Sequence, residues 1–257
     1  MNDRIGSVNG MNQASGGLIA LKNVARFIGL MDLLINREPH TDGIGVFHGY
    51  SGYGKTYASI YAANVQTAIR LEVGDSWSKR KFLENLLTEL EIKPERKTIA
   101  DMTHQAILAL GDDHTRPLII DEADQLADKG MLELVREIYM HSGVPVLLIG
   151  EEKLPAKLKK VERLDNRVLE WVPAEPCDHE DAKALADLFC PGLELADSLI
   201  ELLVTLSQGR ARRIVANLNK MKVYARNSRQ TAFNAGSFDQ SWFHTGEPPR
   251  RIVRRVA

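Results

Sequence analysis

Apolar residues recur along the first half of the chain in two alternating rhythms. Leu21, Val24, Ile28, Met31 and Leu34 stand three or four apart, the spacing of one helical face, and predict a helix ending near Pro39. Gly43-Ile44-Gly45-Val46-Phe47-His48 is a short apolar run entering a glycine-rich loop and reads as a buried strand, with a helix from Lys55 to about Val65 behind it. Ala68–Val73 suits a second strand. Phe82, Leu83, Leu86, Leu87 and Leu90 form another helical stripe, and Ile99 to Leu110 a further helix. Leu118-Ile119-Ile120 and Val144–Ile149 are short, rich in branched residues and bounded by polar or glycine positions, as buried parallel strands are. Val168–Val172 completes the set before the Pro173–Pro176 break. Strand and helix in alternation predict an α/β fold, a parallel sheet with helices on both faces. From Asp178 onward the pattern is helical only, with stripes in 180–190, 196–206 and 211–225.

The expected organisation is a flexible leader over 1–17, rich in Gly, Asn and Ser, an α/β domain over 18–173, a small helical lid over 174–230 and a basic tail over 231–257. With 257 residues and 44% hydrophobic content the chain can bury one substantial core and carry a small second domain. No run of about 18 uncharged apolar residues occurs and the first residues lack a secretory pattern, so a soluble, cytoplasmic protein with no membrane partner is expected. Cys177 and Cys190 are too few for a disulfide framework and are expected as reduced thiols, and no zinc spacing is present.

Charge changes this picture more than composition does. The net charge of −1 conceals residues 207–257, with eleven Lys or Arg against Asp239 and Glu247, and residues 1–206, with 22 basic and 32 acidic side chains. A basic region of this kind either contacts a polyanion or is simply a solvated surface.

The chemistry is concentrated in two segments. Gly49-Tyr50-Ser51-Gly52-Tyr53-Gly54-Lys55-Thr56 has the spacing G-x-x-x-x-G-K-[ST], follows a strand and opens a helix that continues with Tyr57. Such a loop aims backbone N–H groups at a β-phosphate, lets Lys55 span the β- and γ-phosphates and offers the Thr56 hydroxyl to magnesium, so ATP and Mg2+ are the expected ligands. The second segment is the strand ending in Asp121-Glu122. There Asp121 can hold magnesium and Glu122 can orient or deprotonate the attacking water, whereas an isolated Asp-Glu pair could simply cap the next helix.

The order of these features, with Leu118–Asp124, the strand ending Leu148-Ile149-Gly150, Arg163-Leu164-Asp165-Asn166-Arg167-Val168 and Gly209-Arg210-Ala211-Arg212-Arg213, resembles an AAA+ ATPase over roughly residues 20 to 225. Within that group it is similar to the transposition target selectors typified by the phage Mu B protein. The resemblance implies that Arg167, or else Arg163, is an arginine finger acting on a neighbouring subunit's nucleotide, that Arg212, or else Arg213, is the lid arginine, and that the protein is a homo-oligomer, a ring or helical filament. It implies duplex DNA bound with little sequence preference and a transposase as partner. One position departs from the family: where a polar first sensor commonly stands, this chain has Gly150-Glu151-Glu152, which points to altered use of Glu151 or slow hydrolysis.

Two basic patches are candidates for DNA. Lys79, Arg80 and Lys81 follow the second strand, where they either neutralise backbone phosphates or form an ordinary solvated helix start. The tail Arg250-Arg251-Ile252-Val253-Arg254-Arg255 could bind nucleic acid or dock on an acidic partner protein. A helicase loader or replication-initiation ATPase, a weakly hydrolysing ATP-dependent interaction module and a small-molecule kinase are the rival readings. The kinase has no need of a helical lid, inter-subunit arginines or a basic end.

Overall fold

Residues 19–93 and 98–246 are described by the structure, a computed structural model. The leader at 1–17 and the Arg250–Arg255 patch lie outside them.

Among the described residues, those up to Glu175 form one compact unit and those from Pro176 a second. In chain order the first contains α1 (Lys22–Ile35), β1 (Ile44–His48), α2 (Lys55–Gln66), β2 (Ile69–Glu72), α3 (Lys79–Glu89), α4 (Ile99–Gly111) and β3 (Leu118–Asp121). It continues with α5 (Ala123–Asp128), α6 (Leu132–Ser142), β4 (Val146–Gly150), α7 (Leu154–Leu158), α8 (Glu162–Asp165) and β5 (Val168–Pro173). The second unit contains α9 (His179–Phe189), β6 (Glu194–Leu195), α10 (Asp197–Ser207), α11 (Ala211–Ser228) and β7 (Ala232–Phe233).

The five long strands lie in the order β2-β3-β4-β1-β5, and all their pairings are parallel. β3 and β4 are buried at every position, which is why their sequences are unbroken apolar runs and not alternations. β2 alternates, with Ile69 and Leu71 buried and Arg70 and Glu72 on the more open face. α1 packs close to β1 because Gly45 has no side chain; a Cβ there would strike Leu30 and Leu34. Since every strand runs the same way, the ends of β1, β3 and β4 emerge along one edge of the sheet, and the loops that follow them share that edge.

The helical reading of the second unit needs two corrections. β6 and β7 form a two-residue parallel ladder, closed by Glu194 N–H donating to the Thr231 carbonyl at 2.7 Å and Ala196 N–H to that of Phe233 at 2.9 Å. Pairs this short leave no periodicity in a sequence. Residues 231–246, expected as the start of a tail, fold back on α11 instead. Phe238 stacks on Trp242 with ring centroids 4.5 Å apart, Tyr224 meets Phe238 edge-on at 5.2 Å, and the Lys220 ammonium lies over the Trp242 ring. Burial of Phe233, Phe238 and Phe243 supplies the driving force. Cys177 and Cys190 are buried and not joined in a disulfide. Among the described residues no helix is long and apolar enough to cross a membrane.

Candidate nucleotide site

β1 delivers the chain into the glycine loop, and the loop's backbone demands its glycines: Gly52 and Gly54 have φ of +88° and +84°, which side-chain-bearing residues rarely adopt. Gly54 is the N-cap of α2, a helix of 12 residues with no acidic side chain in its first turn, so its free N–H groups and positive dipole end face the loop. Among the described residues the Lys55 ammonium hydrogen-bonds only two carbonyls of the same loop, those of Gly49 at 2.7 Å and Tyr50 at 3.1 Å. The Thr56 hydroxyl makes no hydrogen bond among the described residues. A cradle of backbone donors around a cation satisfied by neutral groups alone fits a phosphate chain, and the Thr56 hydroxyl with the Asp121 carboxylate fits a magnesium ion. Of the aromatic residues, Tyr50 is exposed and meets Tyr53 edge-on at 5.8 Å. The Tyr57 hydroxyl is taken up by Ile19, whose N–H donates to it at 2.7 Å and whose carbonyl accepts from it at 3.1 Å, so Tyr57 ties residue 19 to α2.

β3 brings two acids to the same edge. Asp121 is buried, with one carboxylate oxygen accepting the Glu122 N–H at 3.0 Å and the other the Arg70 guanidinium at 2.8 Å. Glu122 sits in the left-handed region at φ +57°, a conformation that costs a non-glycine residue about 1–3 kcal/mol and collects at functional sites. Its carboxylate accepts no hydrogen bond among the described residues. Burial pushes the Glu122 carboxyl above the ordinary range, with the charges of Asp121 and Glu151 adding to the rise and Lys55 opposing it. Lys55 is shifted in the opposite sense: burial lowers its ammonium, against the pull of Glu122, Glu151, Asp121 and Asp124. His48, at the end of β1, is kept below its ordinary value by burial and by Lys55. Lys55, Asp121, Glu122 and Glu151 are thus electrostatically one cluster.

Gly150 ends β4 beside this cluster, and the missing polar side chain there has a steric cause. A Cβ at 150 would collide with the Asp124 carboxylate and with Leu154. Asp124 is buried, accepts the Glu151 N–H at 2.6 Å and pairs with Lys157 at 3.2 Å. The carboxylate that occupies this position comes from α5, not from β4.

Arg167 is elsewhere. Its carbonyl accepts from Ile44 at the start of β1, so it lies a full strand away from Lys55, about 15 Å at the rise of an extended chain. Its guanidinium pairs with Asp42 at 3.1 Å and stays 42% exposed. Arg163 is exposed on α8. Arg212 is exposed in the first turn of α11 in the second unit, without a hydrogen bond or ion pair among the described residues, and Arg213 donates to Gln208 at 3.2 Å. Lys79, Arg80 and Lys81 are exposed in the first turn of α3, whose N-cap is Ser78, and Arg80 lies 3.6 Å from Glu84.

Residues 37–158 match the family model described as an AAA domain. The match runs from the turn before β1 to the end of α7 and so contains the whole acid and phosphate edge. No curated protein matches the sequence. Among solved structures the chain resembles Cdc6p of Pyrobaculum aerophilum, with a TM-score of 0.61 at 13% identity over 86% of this chain and 66% of that one. The Orc1 protein of Aeropyrum pernix, solved in complex with DNA, gives 0.60 at 15% over 85% and 64%. The RuvB Holliday junction branch migration motor of Thermotoga maritima gives 0.58 at 17% over 85% and 67%. The chain spans about two thirds of the length of these proteins, and at such identities the likeness is one of fold.

Two residues of the first unit were missed by sequence reasoning. Arg70 is one. Asn23 is the other: buried on α1, it donates from its amide to the Tyr53 carbonyl at 2.8 Å and to the Glu175 carbonyl at 2.7 Å, and accepts the Glu175 N–H at 2.9 Å. It pins the phosphate loop to the last residue of the unit. The available signal was a lone amide inside an apolar helical stripe.

Proposed function

We propose that this protein is an ATP-hydrolysing AAA+ ATPase that binds duplex DNA without marked sequence preference in its ATP state, assembles as an oligomer and serves DNA transposition by presenting target DNA to a transposase. The observation that carries the ATPase reading is the convergence of Lys55, Asp121 and Glu122 on one sheet edge, with the cation and the base both without a charged hydrogen-bond partner among the described residues. Lys55 would leave its carbonyls for the β- and γ-phosphates. Glu122 would align the attacking water and accept its proton, its raised affinity for a proton suiting that task. A magnesium ion held by Thr56 and Asp121 would supply charge neutralisation at the phosphates. Arg167 cannot serve its own chain's Lys55 from the opposite edge of the sheet, which favours its acting as a finger on a neighbouring subunit. Arg212, a cation at a helix start with no anionic partner among the described residues, suits a γ-phosphate contact.

The transposition role rests on the sequence resemblance. A second reading, a replication-initiation or helicase-loading ATPase, is favoured by the fold likeness to Cdc6p and to an Orc1 protein solved with DNA. Both share the chemistry. The test is duplex binding and electron microscopy with an ATP analogue or with ADP: ordered assemblies on DNA should form with the analogue only. Binding should weaken steeply with salt, and alanine at Lys79, Arg80 and Lys81 should flatten that slope by about one unit for each phosphate no longer neutralised. DNA binding that is indifferent to nucleotide would refute the proposal. Stimulation of strand transfer by a transposase, as against helicase loading, separates the two biological roles.

A further inference from the structure

The two groups that fit a cation, Thr56 on α2 and Asp121 on β3, are already joined by a hydrogen-bonded relay of this chain's own side chains. The Ser59 hydroxyl donates to the Thr56 carbonyl at 2.8 Å and accepts from Arg70 Nε at 2.9 Å, and Arg70 Nη2 reaches the Asp121 carboxylate at 2.8 Å. Ser59 and Asp121 are buried, and the Arg70 side chain is 19% exposed. The same Nη2 lies 3.2 Å from Glu72, whose side chain is 59% exposed. A cation therefore sits on Asp121, tethered on one side to the turn that carries Thr56 and already shared on the other with the more open Glu72 carboxylate, which can keep it when it leaves Asp121.

We propose that Arg70 is a positioning residue, the resident counter-ion of Asp121, which keeps a divalent cation off that carboxylate until a triphosphate arrives; this rests on the reading of Asp121 as a cation ligand. A carboxylate this buried needs a positive partner, and Arg70 supplies it. A divalent ion approaching Asp121 on its own meets both a neutralised carboxylate and the repulsion of the guanidinium. Brought with the phosphates, the same ion arrives with more negative charge than it carries, so the repulsion is cancelled and Arg70 moves toward Glu72. Metal and nucleotide binding then become coupled, each raising affinity for the other, and the coupling resides in Arg70.

The experiment is a titration of the full chain with Mn2+, free ion followed by electron paramagnetic resonance, with and without ATP. Without nucleotide, Arg70→Gln should bind Mn2+ about tenfold more tightly than the unaltered protein, a typical size for coupling between sites. The gain should vanish in the Arg70→Gln, Asp121→Asn double variant, and Arg70→Lys, which keeps the charge, should exclude Mn2+ as the unaltered protein does. With ATP present, the difference between Arg70→Gln and the unaltered protein should shrink to about threefold or less. Should Arg70→Gln fail to fold, Ser59→Ala, which removes only the tether, should raise nucleotide-free Mn2+ affinity by about fivefold, the low end of such couplings. Unchanged Mn2+ affinity in the variant that folds, or a gain that survives Asp121→Asn, overturns the role of Arg70. Failure of the ATPase reading would appear separately, as no ATP binding by the unaltered protein, and the nucleotide-free comparison would still stand.

Discussion

The ends of β1 and β3 meet at one edge of the sheet and treat charge in opposite ways. At the end of β1 the chain spends its backbone: glycines open the loop, a helix start supplies donors, and the single cation, Lys55, rests on neutral carbonyls. At the end of β3 it spends side chains: Asp121 is tied to Arg70, the neighbouring Asp124 to Lys157, and only Glu122 is left without a hydrogen bond to its carboxylate among the described residues. A carboxylate locked to a guanidinium or ammonium positions other groups. One without such a partner among the described residues, in a strained backbone conformation and with a raised proton affinity, is the candidate for chemistry.

The sharpest way to break this comparison is to remove the charge at each end. Glu122→Gln should lower ATP turnover by about a thousandfold, within the range of general-base contributions, while ATP affinity changes by less than about threefold. Single-turnover hydrolysis beside a nucleotide titration measures both, and full turnover in this variant would remove Glu122 from catalysis. Lys55→Ala should do the reverse. Losing charge-assisted bonds worth about 3 kcal/mol should weaken ATP binding by roughly a hundredfold, visible in the same titration. If both variants lose affinity equally, the division between a binding end and a reacting end is wrong.

What the sequence showed of this edge, and what it hid, follows the same division. Backbone-driven features leave patterns: β3 and β4 are unbroken apolar runs because both faces are buried, and the glycine spacing at 49–56 follows from a loop that only glycines can close. Side-chain relays across strands leave none. Arg70 occupies a partly buried position of an alternating strand, where an arginine reads as a solvent-facing residue, and its link to Asp121 exists only because β2 pairs with β3. Gly150 read as a departure from a polar sensor because the Asp124 carboxylate that fills its space comes from another element. In the second unit the aromatic residues between 233 and 243 have no helical or strand period, so their packing on α11 was mistaken for a tail.

The smallest expected effect concerns how the acids of this edge tune one another. As the proposed general base, Glu122 would have to be unprotonated to accept a proton from water, so its raised proton affinity should place the acid limb of the turnover profile above the pH range of an ordinary carboxylate. Burial is the first cause of that rise, Asp121 the second and Glu151 the third, with Lys55 acting against them. Glu151→Gln deletes one like charge and leaves the others, so the acid limb of kcat should move toward lower pH. The sign for folding is the opposite one: a carboxyl whose proton affinity is raised in the folded state adds stability below its unfolded value, and that contribution is lost as pH rises through the folded value. In Glu151→Gln this loss should be complete at lower pH than in the unaltered protein, because the folded value has come down. Measuring kcat and denaturant midpoint across the same acidic pH series therefore gives two shifts of one direction from one substitution. An acid limb that stays in place, or moves upward, would show that Glu151 does not act on Glu122 and that burial and Asp121 raise its proton affinity without it.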